Sequence, residues 1–339
     1  MASDRIEWLD FLRGVSVGFV ILYHASVVAF VTEGFGTTAA SFVNGAAAPF
    51  RMPAMAFLSG LLVPRSLRKG NRRFVGGKLR RIAHPYVLWS FIMIALWTGP
   101  LGLVEFRPAM VLDIAREPFD HLWYLYLLLG CYLLALATQR IRPLFLVIAA
   151  TAGLVIPVGL SGQHLSFVYL TAFFMMGVEV ATHPDQWSTW FSSRGASVLA
   201  VACGAAALLT PWWLPGSTEV SVALIPLMSV VLVGTWSLLS SGRFRVSSPV
   251  VEGLGRNSMV YYVVHWPVLI AVRVALGPLA LGDVVRFVLF ASLGFAVPAL
   301  LVVLRRTWGP VRFLFEWPAA RRAQAVRPTQ PASVGGWPA

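Results

Sequence analysis

Arg13 and His24 stand eleven residues apart in an otherwise apolar stretch. At 100° per residue, eleven steps make three helical turns plus about 20°. On a helix both side chains project from one face, roughly 16 Å apart along the axis. Ser258, Tyr262 and His265 share a helical face in the same way, at offsets of four and seven. Arg51 lies within a third apolar run. Counted from the ends of their runs, His24, Arg51 and His265 reach a similar depth. Ionisable side chains in such runs are costly and usually face a bundle interior or a polar cavity. A buried imidazole there can accept or return a proton, and a guanidinium can hold developing negative charge. The spacing therefore predicts one polar cavity with His24, Arg51 and His265 at its heart. Asp10, Arg13, Arg80, Arg81, Arg256 and Glu179 form a second set expected around its mouth. Arg13, Arg80 and Arg81 can also be read as topology signals, and Trp123 and Tyr124 as residues of an aromatic belt at the membrane surface.

Such residues need long apolar elements to carry them. Of 339 residues, 58% are hydrophobic and 12% charged, against roughly 25% charged in soluble domains. That excludes a soluble enzyme, a disordered chain and a collagen-like fibre. The expected class is all-α, a polytopic membrane protein with about ten transmembrane helices. The apolar stretches fall near 12–31, 43–63, 83–99, 121–138, 143–160, 165–182, 196–211, 220–240, 257–275 and 285–304. Asp4, Glu7 and Asp10 precede the first run and no small-residue cleavage site follows it, so it reads as a retained helix and not a signal peptide.

The net charge is +13, with 27 Lys and Arg. These are segregated by loop, which argues against nucleic acid and for orientation in a bilayer. With ten spans the basic clusters at 65–81, 140–142, 243–256 and 305–327 all fall on the N-terminal side. Both termini are then expected in the cytoplasm, in the cell membrane. Residues 1–315 read as one membrane domain, and the basic, Pro-rich segment 316–339 as a disordered cytoplasmic tail. Cys131 and Cys203 have no CxxC or CxxH spacing, so they read as packing residues. The histidines are scattered, and no metal site is expected.

Six motifs, in order, bear a resemblance to a known family. RIEWLDFLRGVSVGFVILYH at 5–24 contains an LDxLRG segment and the Arg13–His24 pair. FRMPAMAFLSGLLV at 50–63 ends its helix in Ser59 and Gly60. KLRRIAHPY lies at 78–86, HLWYL at 121–125, FFMMG at 173–177 and SMVYYVVHWPV at 258–268. Together they resemble the acyltransferase-3 family of integral-membrane O-acyltransferases over nearly the whole chain. One departure is Arg51, where many members carry His. Another is the lack of a fused extracytoplasmic esterase-like domain.

The resemblance implies transfer of an acyl group, acetyl by default, from acyl-CoA to a hydroxyl. The acceptor would be a sugar of an envelope glycan or of a glycosylated natural product. His24 would be the general base or would carry the acyl group covalently; the sequence leaves both open. Arg51, Tyr262 or His265 would stabilise the oxyanion. Arg13 with Arg80, Arg81 and Arg256 would hold the CoA phosphates, and Asp10 would orient Arg13 or a neighbouring cation. His121, Trp123 and Glu179 are candidates for substrate contacts. The competing class is an exporter of a polysaccharide or small molecule. It should show internal repeats and broken helices, and the sequence displays neither clearly.

Overall fold

The computed structural model describes residues 7–30, 35–155, 162–213, 221–242, 245–277, 279 and 281–318. Within these it is 82% helical and has no strands, so the chain is all-α. The first part runs α1 (Glu7–Ala29), α2 (Phe35–Gly60), α3 (Val63–Leu67), α4 (Asn71–Lys78), a π-helical turn (Leu79–Ala83), α5 (His84–Thr98) and α6 (Ala109–Asp113). A 3₁₀ turn (Asp120–Leu122) then leads into α7 (Trp123–Ala137), α8 (Pro143–Val155), α9 (Gly162–Thr182), α10 (Pro184–Trp190) and α11 (Arg194–Leu208). The last part holds α12 (Thr210–Trp213), α13 (Leu224–Ser240), α14 (Pro249–Arg256), α15 (Ser258–Leu276), α16 (Asp283–Thr307) and α17 (Gly309–Phe313).

Each of the ten apolar stretches carries a helix. Among the described residues, six segments are long and apolar enough to cross a membrane: Glu7–Ala29, Thr38–Leu67, Asp120–Ala137, His164–Thr182, Ser258–Leu276 and Asp283–Thr307. α8 and α13 are apolar but shorter, and α10 meets α11 at 87°. Residues 319–339, most of the segment read as a tail, lie outside the described residues. Glu316 and Trp317, at its start, are bonded to the π-helical turn, as described below.

α1 packs against α2, α14, α15 and α16, and α2 packs along α9. Two pairs of glycines set how closely these helices approach. A Cβ at Gly60 would sit 2.0 Å from the Phe174 carbonyl oxygen, and one at Gly177 would sit 2.1 Å from that of Phe57. A Cβ at Gly14 would likewise meet the Val251 oxygen at 1.9 Å, and one at Gly255 the Asp10 oxygen at 1.7 Å. Apolar helices in lipid gain little from hydrophobic association, and small residues let their backbones pack closely instead. Gly14, Gly60 and Gly177 all stand in the motifs quoted above. Their contacts fix α1 and α2, which carry Arg13, His24 and Arg51.

Candidate active site

α1 and α15 bring His24 and His265 together. Nδ1 of His24 lies 2.9 Å from Nε2 of His265. Nδ1 of His265 lies 2.9 Å from the carbonyl oxygen of Tyr261, one turn earlier on the same helix. A carbonyl can only accept, so the proton of His265 is on Nδ1 and its Nε2 is an acceptor. With both rings neutral, His24 must donate from Nδ1. Its Nε2 is left with a lone pair, the form a proton acceptor needs. His265 is fully buried.

A cavity of about 160 Å³ is lined by Val20, Tyr23, His24, Arg51, Met52, Trp123 and Tyr262. His24 and Arg51 therefore share one small space, and His265 stands behind His24. Arg51 is only 3% exposed, and its guanidinium lies 4.1 Å from the centre of the Tyr23 ring. The cation is held partly by that ring face.

A second, larger cavity of about 440 Å³ is lined by Asp10, Arg13, Ser59, Ser66, Lys78, Arg81, Tyr124, Arg256 and Ser258, among others. Tyr262 lines both cavities and is the wall between them. Its hydroxyl donates to the backbone oxygen of His121. Nε2 of His121 in turn faces the Val263 oxygen at 3.3 Å. Pro267, four residues beyond Val263, has no N–H to offer that oxygen. The proline in the His-Trp-Pro segment thus frees the acceptor that His121 uses. His121 is 3% exposed, and its ring centre lies 5.4 Å from that of His265.

A third cavity of about 470 Å³, between α1, α2, α11 and α13, holds no titratable side chain. Of these three cavities, the other two carry the titratable side chains.

Two residues expected at the mouth are placed elsewhere. Arg80 turns toward the end of the chain, donating to Glu316 Oε1 and to the Trp317 carbonyl, both at 3.0 Å. Arg81 lines the larger cavity and also approaches Glu316 Oε1 at 3.3 Å. Successive residues on a helix point about 100° apart, so Arg81 can line the cavity while Arg80 does not, even though both reach Glu316. Glu179 lines neither cavity. It is fully buried, accepts Nη2 and Nε of Arg142 at 2.7 and 3.0 Å, and takes the backbone N–H of Leu144 at 3.3 Å. It ties α9 to the start of α8, and its carboxylate holds the Arg142 guanidinium above its ordinary pKa. Arg256 lines the larger cavity beside Glu252, whose Oε2 is 3.4 Å from its Nη1. Arg13 reaches toward the Leu58 carbonyl at 3.5 Å.

Lys78 was missed by the sequence reading. Its ammonium lies 3.5 Å from the Tyr132 ring centre, on the wall of the larger cavity. The signal was present: Lys78 opens the KLRRIAHPY motif, one helical turn before Arg81. Among the described residues, no group of three or more His, Cys, Asp or Glu is arranged to hold a metal ion.

A family model described as an acyltransferase domain matches residues 6–303. The chain belongs to the acyltransferase-3 family. Comparisons with curated proteins and with solved structures gave no match. Membership makes the chain a membrane acyltransferase, and its apolar helices fit a multi-pass membrane protein. For an acyltransferase-3 protein the two polar cavities have an evident division. One is lined with cations and the other holds the paired histidine.

Proposed function

We propose that the protein transfers an acyl group, acetyl by default, from acyl-CoA to a hydroxyl, most simply that of a sugar on an envelope glycan or glycosylated natural product. The observation that carries this reading is the His24–His265 pair on the wall of a polar cavity that also holds Arg51. The larger cavity, with Arg13, Lys78, Arg81 and Arg256, suits the phosphates of CoA. The narrow pantetheine arm would pass Tyr262 and bring the thioester beside His24.

An alcohol is a weak nucleophile near neutral pH. His24 Nε2 takes the hydroxyl proton as the oxygen bonds to the thioester carbon. The carbonyl oxygen gains the negative charge, and Arg51 is the cation nearest to stabilise it. Tyr262 is a poorer candidate for that role, because its hydroxyl is already bonded to His121. The carbon–sulfur bond then breaks, and the thiolate receives the proton from His24. The products are the ester and CoA. His265 accepts the Nδ1 proton of His24 throughout and stabilises the imidazolium while it exists. In the covalent variant His24 Nε2 attacks the thioester carbon and expels the CoA thiolate; the acceptor oxygen then displaces the imidazole, and its proton passes to the thiolate, again giving the ester and CoA.

Ten spans with both termini cytoplasmic complete the proposal, since CoA is cytoplasmic. The bent α10–α11 pair does not touch either polar cavity, which disfavours the broken-helix binding site of an exporter.

The deciding experiment incubates purified protein in membranes with labelled acetyl-CoA and a panel of glycosides. Wild type should release CoA and form an ester, and His24→Ala, at equal abundance, should do neither. Near-normal turnover by His24→Ala would overturn the assignment.

A further inference from the structure

Neither Asp120 nor Trp266 figures in the chemistry above, yet together they close one side of His24. Trp266 follows His265 on α15. Its ring centre is 4.9 Å from that of His24, at 58°. Its indole N–H donates to Oδ2 of Asp120 at 2.6 Å, a short bond to a carboxylate. Asp120 opens the 3₁₀ turn that also carries His121. Its φ is 49°, the one positive φ of a non-glycine among the described residues. Side chains rarely adopt that region, Asp and Asn more readily than most.

The Cβ–Cγ bond and the Nδ1 contact with His265 together set the imidazole plane. That plane holds only while the rings packed on it keep χ1 and χ2 of His24 from drifting. The further ring contacts of His24 are Tyr23, at 5.0 Å, and Trp266. Tyr23 is itself covered by Arg51. The free edge of Trp266 is held by Asp120.

We propose that Asp120 is a positioning residue that acts on His24 through Trp266. Its carboxylate anchors the indole, and the anchored indole keeps the imidazole in the plane that presents Nε2 to the small cavity. The kinetic part of this inference rests on the acyl-transfer reading.

The alternative is that Asp120 merely forms the turn. Glycine adopts positive φ freely, so Asp120→Gly tolerates the turn's backbone but removes the carboxylate's bonds both to Trp266 and to the backbone N–H of His121; Trp266→Phe removes the first alone and separates the two roles. We expect Asp120→Gly to lower kcat about tenfold or more, the scale of a lost hydrogen bond to a charged group, with the KM for acetyl-CoA unchanged. Asp120→Asn retains an acceptor and tolerates the backbone, and should recover much of the rate. Trp266→Phe keeps the ring and loses the N–H. It should match Asp120→Gly, and the double variant should be no worse than either. A second measurement needs no turnover: the rate at which diethyl pyrocarbonate modifies His24, read by mass spectrometry. That rate should rise in Asp120→Gly and Trp266→Phe. Where Asp120→Gly fails to fold, Asp120→Asn and Trp266→Phe carry the comparison. Wild-type kcat and wild-type modification rates in these variants would overturn the proposal. Faster modification in a protein that acylates nothing would instead sustain the positioning role and reject acyl transfer.

Discussion

His24 on α1 and His265 on α15, 241 positions later, meet through Nδ1 and Nε2 at 2.9 Å. The contact fixes which nitrogen of His24 is free, because His265 is itself fixed by the Tyr261 carbonyl. His265→Ala should therefore lower kcat about tenfold to a hundredfold and leave the KM for acetyl-CoA nearly unchanged. His265→Gln returns an acceptor and should recover part of the loss. Steady-state kinetics on membranes of matched abundance check this. A large rise in KM with normal kcat would mean that His265 serves binding instead.

Arg80 and Arg81 should separate on mutation although they are adjacent. Arg81 and Lys78 line the cation-rich cavity, whereas Arg80 is bonded to Glu316 and Trp317. Arg81→Ala and Lys78→Ala should each raise the KM for acyl-CoA, on the order of tenfold for a lost charge-assisted contact. Arg80→Ala should lower Tm and leave that KM alone. Equal effects of all three on KM would return Arg80 to the donor site.

The α2–α9 contact should tolerate no added methyl. At Gly60 and Gly177 a Cβ would lie within 2.0 and 2.1 Å of carbonyl oxygens of the facing helix. Gly60→Ala or Gly177→Ala must push the two backbones apart, at about 1–3 kcal/mol. Each should reduce the detergent-extracted, monodisperse fraction and lower Tm. Wild-type Tm in both would mean that the helices are looser than their packing implies.

Reporter fusions at residues 70, 110 and 330 test the orientation proposed from loop charge. Inside, outside and inside are the expected readings. An outside reading at 330 would put the cation-lined cavity on the face away from CoA.

Much of the site was legible from helical periodicity. Arg13 and His24 on one face, and Ser258, Tyr262 and His265 on another, follow from spacing alone. The similar depth of His24 and Arg51, with the cost of charge in a span, also pointed to one shared cavity; its division from the cation-lined cavity by Tyr262, and the place of His265 behind His24, did not follow from spacing. Two further kinds of information were not legible. The π-helical turn shifts the register at Leu79–Ala83, and no apolar period shows in so short a basic segment. Hence it was not legible that Arg81 lines the cavity and Arg80 does not, although both reach Glu316. Glu179 looked like a cavity residue because a charge within a span usually faces one. Its partner, Arg142, lies on the loop between α7 and α8, and a charge near a span end can be satisfied there. Asp120 escaped notice because a hydrogen bond to an indole on α15 leaves no local pattern.

Pro267 has a consequence for any effort to stabilise this protein by redesign. By propensity, proline is the poorest residue for a helix interior, and it would be the first position on α15 marked for replacement. Its missing N–H, however, is what leaves the Val263 carbonyl to His121. Alanine at 267 would supply a competing donor from within the helix. The isolated segment would gain helicity, while the turn that carries Asp120 and His121 would lose a point of attachment. A more heat-resistant chain with a slower reaction is the expected product of that exchange.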